Sequence, residues 1–192
     1  MNSPHYFIAL PLPNFLKKQL AGWQRALSDK LPYKQWTHLD DLHITLKFLG
    51  PAEQNQLQML MKSMAQIKRI SAFSLQTESL GTFGNPKKPR VLWADVKRKE
   101  KLFYLQENVE NIASQAGFQH EKRVYTPHIT LAKKWTGGMK DLSDLKKRYI
   151  RQQTFEVDQV VIYRIHPEKN PKYHVAATFN LSRGEDVYGT AD

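Results

Sequence analysis

The phrase His-Ile-Thr-Leu occurs twice in this 192-residue chain, at positions 43–46 and again, 85 residues later, at 128–131. Each copy lies in an alternating stretch. In an extended strand successive side chains point to opposite faces, so the imidazole and hydroxyl of each copy share one face and the aliphatic residues take the other. In the first copy Leu42, Ile44, Leu46 and Phe48 are predicted to face the interior, while His43, Thr45 and Lys47 project the opposite way. Neighbours on that face stand roughly 6–7 Å apart. Two such strands brought together would present four polar groups to one cleft.

Read in order, the rest of the chain alternates strand and helix. Residues 6–12 are predicted as a strand closed by prolines, and Pro13 with Asn14 opens a helix whose apolar stripe is Leu16, Leu20, Trp23, Leu27 and Leu31, stopped by Pro32. A polar-aromatic link holding Trp36 and His38 leads to the first motif strand at 42–49. Gly50 and Pro51 end that strand and start a second helix with Leu57, Met61, Met64 and Ile67 inward. A strand at 72–80 runs into a basic, turn-rich segment, Gly-Thr-Phe-Gly-Asn-Pro-Lys-Lys-Pro-Arg at 81–90, expected to form a flexible lip. A strand at 91–96 and a helix at 101–116 follow, the helix burying Leu102, Leu105, Val109 and Ile112 before Gly117 ends it and the second motif strand begins. Beyond Gly137 and Gly138 come a short charged helix near 142–150 and a strand at 154–166, which forms a hairpin with 173–181. The polar residues 183–192 are expected to fray.

A shift of 85 residues lays 6–12 on 91–97, Leu20 on Leu105, Leu27 on Ile112 and His43 on His128. One offset relating three elements predicts an internal duplication, strand, helix and motif strand in each half. Two like halves facing each other bring their motif strands together at the centre.

One His-x-Thr is a weak signal, because both residues sit comfortably in strands. Two identical copies in the same context point to a paired site of a size that a phosphate fills. Imidazole titrates near neutral pH, so of two histidines facing a phosphodiester one can remove a proton from water while the other protonates the departing oxygen. The threonine hydroxyls then donate to the non-bridging oxygens, where charge accumulates. Neither motif contains a carboxylate or a Cys, and zinc usually takes at least a third protein ligand, so acid/base chemistry without metal or cofactor is expected.

The chain at this point resembles the 2H phosphoesterase family, and within it the bacterial and archaeal RNA 2′,3′-cyclic phosphodiesterases once described as 2′-5′ RNA ligases. The resemblance is carried by Leu-His-Ile-Thr-Leu-Lys-Phe-Leu-Gly at 42–50, Phe83 through Pro-Arg-Val-Leu-Trp at 89–93, and Thr-Pro-His at 126–128. It implies a bilobal, duplicated α+β fold over residues 1–182, with two antiparallel sheets around a central cleft and helices packed outside. It also implies His43 as proton donor, His128 as proton acceptor, and Thr45 and Thr130 as phosphate ligands. The family commonly has Arg two residues after the second motif's leucine, where this chain has Lys133. Lys keeps a point charge there and loses the bidentate fork. Strict alternation turns Lys133 towards the Ile129 and Leu131 face, so a place at the phosphate requires the strand to end or twist first. Lys47 has the parity to reach the cleft.

Lys and Arg outnumber Asp and Glu by 29 to 18, a net charge of +11, which favours a polyanionic partner. Lys87, Lys88 and Arg90 in the basic segment, as candidate substrate contacts, favour RNA, and the resemblance implies RNA with 2′,3′-cyclic phosphate ends, tRNA halves among them, opened to a 2′-phosphomonoester or, in reverse, joined. There is no Cys, no apolar run near the ~20 residues that span a bilayer and no leader pattern at Met1, so a cytoplasmic monomer free of membranes is expected. The competing readings are an AMP-like nucleotide-binding module without turnover and a phosphodiesterase for a small cyclic nucleotide. Intact histidines in both motifs speak against the first, and the basic segment and net charge against the second.

Overall fold

The computed structural model describes residues 3–149 and 152–183, so the expected helix end at 150 and the tail from 184 onward lie outside the described residues. Strand β1, His5–Pro11, is followed by helix α1, Asn14–Ser28, which begins directly after Pro13. Proline supplies a preset φ and lacks an N–H that the first turn would leave unpaired. Leu16, Leu20, Trp23 and Leu27 form its buried stripe, each contributing roughly 2 kcal/mol of apolar burial. Strand β2, Tyr33–Trp36, occupies part of the expected link, and β3, His43–Pro51, carries the first motif. Gly50 and Pro51 still belong to β3, and α2 starts only at Gln54–Met64, with Leu60, Met64 and the following Ile67 buried and Leu57 and Met61 partly so.

The segment 81–90 is no loose lip. Strand β4, Phe73–Asn85, and strand β5, Lys88–Val96, form one long antiparallel hairpin that turns at Pro86 and Lys87. Two devices make this possible in a stretch rich in glycine and proline. Gly84 takes φ 97°, open to glycine, at a register shift opposite Pro89, and the Asn85 side chain accepts the Lys87 N–H to close the turn. Helix α3, Glu100–Gln115, buries Leu102, Leu105, Val109 and Ile112, and Gly117 follows it at φ 85°. Strand β6, His128–Trp135, carries the second motif, and α4, Ser143–Arg148, is a short helix.

The apolar run at 154–166 splits into two strands. Strand β7, Thr154–Val157, pairs with β4, and strand β8, Gln159–Ile165, pairs with β1. Asp158 lies between them, its carbonyl accepting the Leu181 N–H and its carboxylate the Arg183 guanidinium. Strand β9, Tyr173–Asn180, completes the expected hairpin with β8. The strand order is β7-β4-β5-β6-β3-β1-β8-β9, with β2 also on β6. The nine strands thus form one antiparallel sheet whose two arms, β9-β8-β1-β3 and β6-β5-β4-β7, meet at the motif strands, joined among the described residues through the register pair Ile44 with Ile129. The motifs repeat at 85 residues, but Leu10 and Ala94 occupy the corresponding places beside them, so the first strands repeat at 84.

Candidate active site

Each motif histidine is held by the same local device. His43 Nδ1 lies 2.7 Å from the Asp41 carbonyl oxygen, and His128 Nδ1 lies 2.7 Å from that of Thr126, two residues upstream in both cases. A carbonyl only accepts, so Nδ1 carries the proton in both neutral rings and Nε2 is the basic nitrogen. In His43 that nitrogen stands 2.9 Å from Thr45 Oγ, whose hydroxyl donates to it. His43, Thr45, His128 and Thr130 line one cleft of about 190 Å³, together with Phe7, Thr37, Phe48, Lys133, Ile165 and Tyr173.

Lys133 reaches that cleft because the strand breaks its alternation. Against β5, Thr130 pairs with Trp93 and Ala132 with Leu92, leaving Leu131 as an extra, bulged residue. Beyond it the faces exchange: Leu131 and Ala132 are both buried, and Lys133 falls on the histidine side. The first motif does the same. Thr45 pairs with Ala9 and Lys47 with Ile8, so Leu46 is the bulge. Two sequence expectations are overturned by it. Lys47 points inward, 4% exposed, to the Glu110 carboxylate and the Gln119 carbonyl, and Phe48 points out, 59% exposed, into the cleft.

Each bulge carbonyl is met by a glutamine from the other half's helix. Gln24 of α1, itself buried, donates through Nε2 to the Leu131 carbonyl at 3.0 Å and the Thr37 carbonyl at 2.8 Å. Gln106 of α3 reaches the Leu46 carbonyl at 3.5 Å.

The imidazoles sit among rings. Phe7 lies 4.7 Å from His43 and Tyr173 meets it edge-on at 5.3 Å, while Phe83 meets His128 edge-on at 4.9 Å and Trp93 stands 5.9 Å away. Gly81 is required beneath Trp93, since a Cβ there would collide with the indole. Loss of water, with the charges of Lys133 and His128, lowers the His43 pKa to about 4. His128 is lowered as well, by desolvation first and Lys133 second. Lys133 is exposed overall yet lines the cleft, and partial desolvation with the charge of Lys172 pulls its pKa down. Both imidazoles therefore favour the neutral form at pH 7.

Sequence reasoning missed Phe7, Thr37, Ile165 and Tyr173, which no motif marks. It also missed Asp41. Its carboxylate, 5% exposed as a residue, accepts the main-chain N–H groups of Lys172 and Tyr173 at 2.9 and 3.0 Å, pinning the start of β9 beside His43. Lys87, Lys88 and Arg90 are exposed at and beyond the tip of the hairpin that carries Phe83 to His128.

A family model described as LigT like phosphoesterase matches residues 10–93 and 95–173. The chain belongs to that family. Among its curated relatives, an RNA 2′,3′-cyclic phosphodiesterase of Geobacillus stearothermophilus is 37% identical over 97% of this chain, which spans 60% of that relative's length. One of Bacillus subtilis is 37% identical over 93% of this chain and 97% of its own. Of the solved structures, E. coli LigT complexed with 3′-AMP superposes with a TM-score of 0.77 at 21% identity, over 93% of this chain and 99% of that one. LigT-like phosphoesterases thus share this α+β arrangement of antiparallel sheet and helices. No helix among the described residues is long and apolar enough to cross a membrane.

Proposed function

We propose that the protein is an RNA 2′,3′-cyclic phosphodiesterase, residues 1–182 working as one bilobal, monomeric unit in the cytoplasm. The observation that carries this reading is the pair of histidines fixed through Nδ1 by equivalent carbonyls and lining one cleft with two threonines. The names of the curated relatives support it. In the reaction His128 Nε2 takes a proton from water, the water oxygen attacks phosphorus, and the P–O3′ bond breaks. His43 gives its Nε2 proton to O3′, leaving a 2′-phosphomonoester and a 3′-hydroxyl.

His43 must therefore gain a proton as substrate binds. The phosphodiester's negative charge favours this, opposing the desolvation and the Lys133 charge that hold the value down in the free protein. Protonation also reverses the Thr45 bond: Nε2–H donates to Oγ, and the hydroxyl is released to donate to a phosphate oxygen, as Thr130 does from the other half. Lys133 adds a positive charge beside the phosphate. With a 5′-hydroxyl in place of water the same steps join it to the cyclic end: His128 takes the hydroxyl proton, O5′–P forms as P–O3′ breaks, and a 2′-5′ linkage results, tRNA halves included.

Incubation of the purified protein with cyclic-ended RNA and nucleoside 2′,3′-cyclic phosphates, in excess chelator, tests this reading. Full activity with only 2′-phosphate products is expected, and either His43→Ala or His128→Ala should remove most of it. Because the two act on one transition state, the double variant should be no worse than either single one. An activated leaving group should rescue His43→Ala far more than His128→Ala; the opposite pattern reverses the roles. Tight nucleotide binding without turnover would mean a binding module instead.

A further inference from the structure

The apolar residues that line the cleft come from the first half, while Phe83 and Trp93 of the second half flank His128. Phe7 of β1, Phe48 of β3, Ile165 of β8 and Tyr173 of β9 stand with His43 and Thr45, whereas β6 contributes His128, Thr130 and Lys133 and nothing apolar. The difference is sharpest at one pair of equivalent positions. Phe48 and Lys133 are each fifth after their motif histidine, and each is turned into the cleft by the same bulge. One half thus places a cation where the other places an aromatic ring.

Lys133 has an evident partner in an anion. Phe48 has none among the described residues: its ring neighbour there is the exposed His5, tilted at 6.3 Å, and 59% of the residue remains open to water. An apolar ring at the mouth of a polar cleft is suited to a flat group whose faces are poorly hydrated. A nucleotide carries such a group on the ribose that bears its phosphate, and bases stack on aromatic side chains whatever their sequence. We propose that Phe48 is the stacking platform for the nucleobase of the terminal nucleotide, with the apolar wall of the first half holding base and ribose and Lys133 facing the phosphate. This rests on the reading of the cleft as a nucleotide-end site and deepens it. The consequence is polarity. In a pseudo-twofold cleft a half-turn of the ribose would exchange the 2′- and 3′-oxygens between the two histidines, and a one-sided base anchor forbids that exchange.

Calorimetric binding of adenosine 3′-monophosphate and of ribose 3-phosphate to wild type, Phe48→Ala, Phe48→Trp and Lys133→Ala tests the assignment. Wild type should prefer the nucleotide. Phe48→Ala should weaken the nucleotide at least fivefold and leave ribose 3-phosphate within twofold, Phe48→Trp should keep the preference, and Lys133→Ala should weaken both ligands alike. Since Phe48 is exposed, the thermal midpoint of Phe48→Ala should match wild type. A wild type without preference, an unchanged preference in Phe48→Ala, or equal weakening of both ligands by that variant overturns the proposal. The readout is binding, so a protein that binds nucleotide but opens no cyclic phosphate overturns the hydrolytic reading while the affinity ratio still judges Phe48.

Discussion

His43 sits where its charged form is disfavoured from three sides, by desolvation, by Lys133 and by His128, and its pKa falls from 6.5 to about 4. Nuclear magnetic resonance titration of the free protein should find this imidazole neutral down to pH 5, and saturating inorganic phosphate should raise its pKa, because an anion in the cleft favours the charged ring and offsets Lys133. A free value near 6.5, or one that phosphate leaves unmoved, contradicts the arrangement. The same depression makes a stability statement. Between pH 6.5 and 4 the unfolded chain binds a proton at this residue that the folded chain does not, so folding weakens as pH falls through that window and is unaffected by His43 above it. The shift corresponds to at most about 3 kcal/mol, of which about 2 is lost by pH 5. Urea unfolding at pH 7 and pH 5 should show a drop up to about 2 kcal/mol larger in wild type than in His43→Asn, and equal drops would remove this contribution.

At the scale of the element, a bulge at the motif leucine decides what each strand offers. It admits Lys133 and Phe48 to the cleft and sends Lys47 into the core against Glu110, where the pair is compensated because Gln119 and Glu121 supply further main-chain bonds. The distortion persists because the exposed carbonyl is satisfied from outside the strand, most fully at Leu131, which accepts from both Gln24 and the Thr37 N–H. Replacing Gln24 by Leu leaves buried carbonyls short of a donor, at a cost of about 1–3 kcal/mol in chemical denaturation. If the bulge is what aims Lys133, Gln24→Leu and Lys133→Ala should raise KM in the same direction and the double variant should show less than their combined effect. Full additivity would mean that Gln24 stabilises without aiming Lys133.

For the whole molecule, the chain closes on itself through its last strands: β7 finishes one edge of the sheet, and β8 and β9 finish the other, where Asp41 fastens the start of β9 beside His43. The long β4–β5 hairpin then carries Lys87, Lys88 and Arg90 outward on an ordered arm, on a protein with a net charge of +11. If that arm meets RNA phosphates, replacing all three by Ala should weaken oligonucleotide binding and flatten its salt dependence by about 2 in logarithmic slope, roughly 0.7 per lost contact on a single strand. A mononucleotide should bind as before. Equal losses on both ligands would place the effect in the cleft or in folding.

Much of the site was legible in the residues themselves. The repeated His-x-Thr, its spacing, the stripes of α1 and α3 and the pairing of the two motifs all follow from local periodicity, which a single chain displays without reference to its neighbours. Alternation alone, however, misplaced Lys47, Phe48 and Lys133, read β7 and β8 as one strand, took β2 for part of a link and took the hairpin tip for a loose loop. Those outcomes depend on partners remote in the chain. The Leu131 bulge is held by Gln24, 107 residues away, and Lys47 is drawn inward by Glu110, 63 residues away. A bulge inverts every side chain beyond it, so one distant hydrogen bond decided which residues reached the cleft.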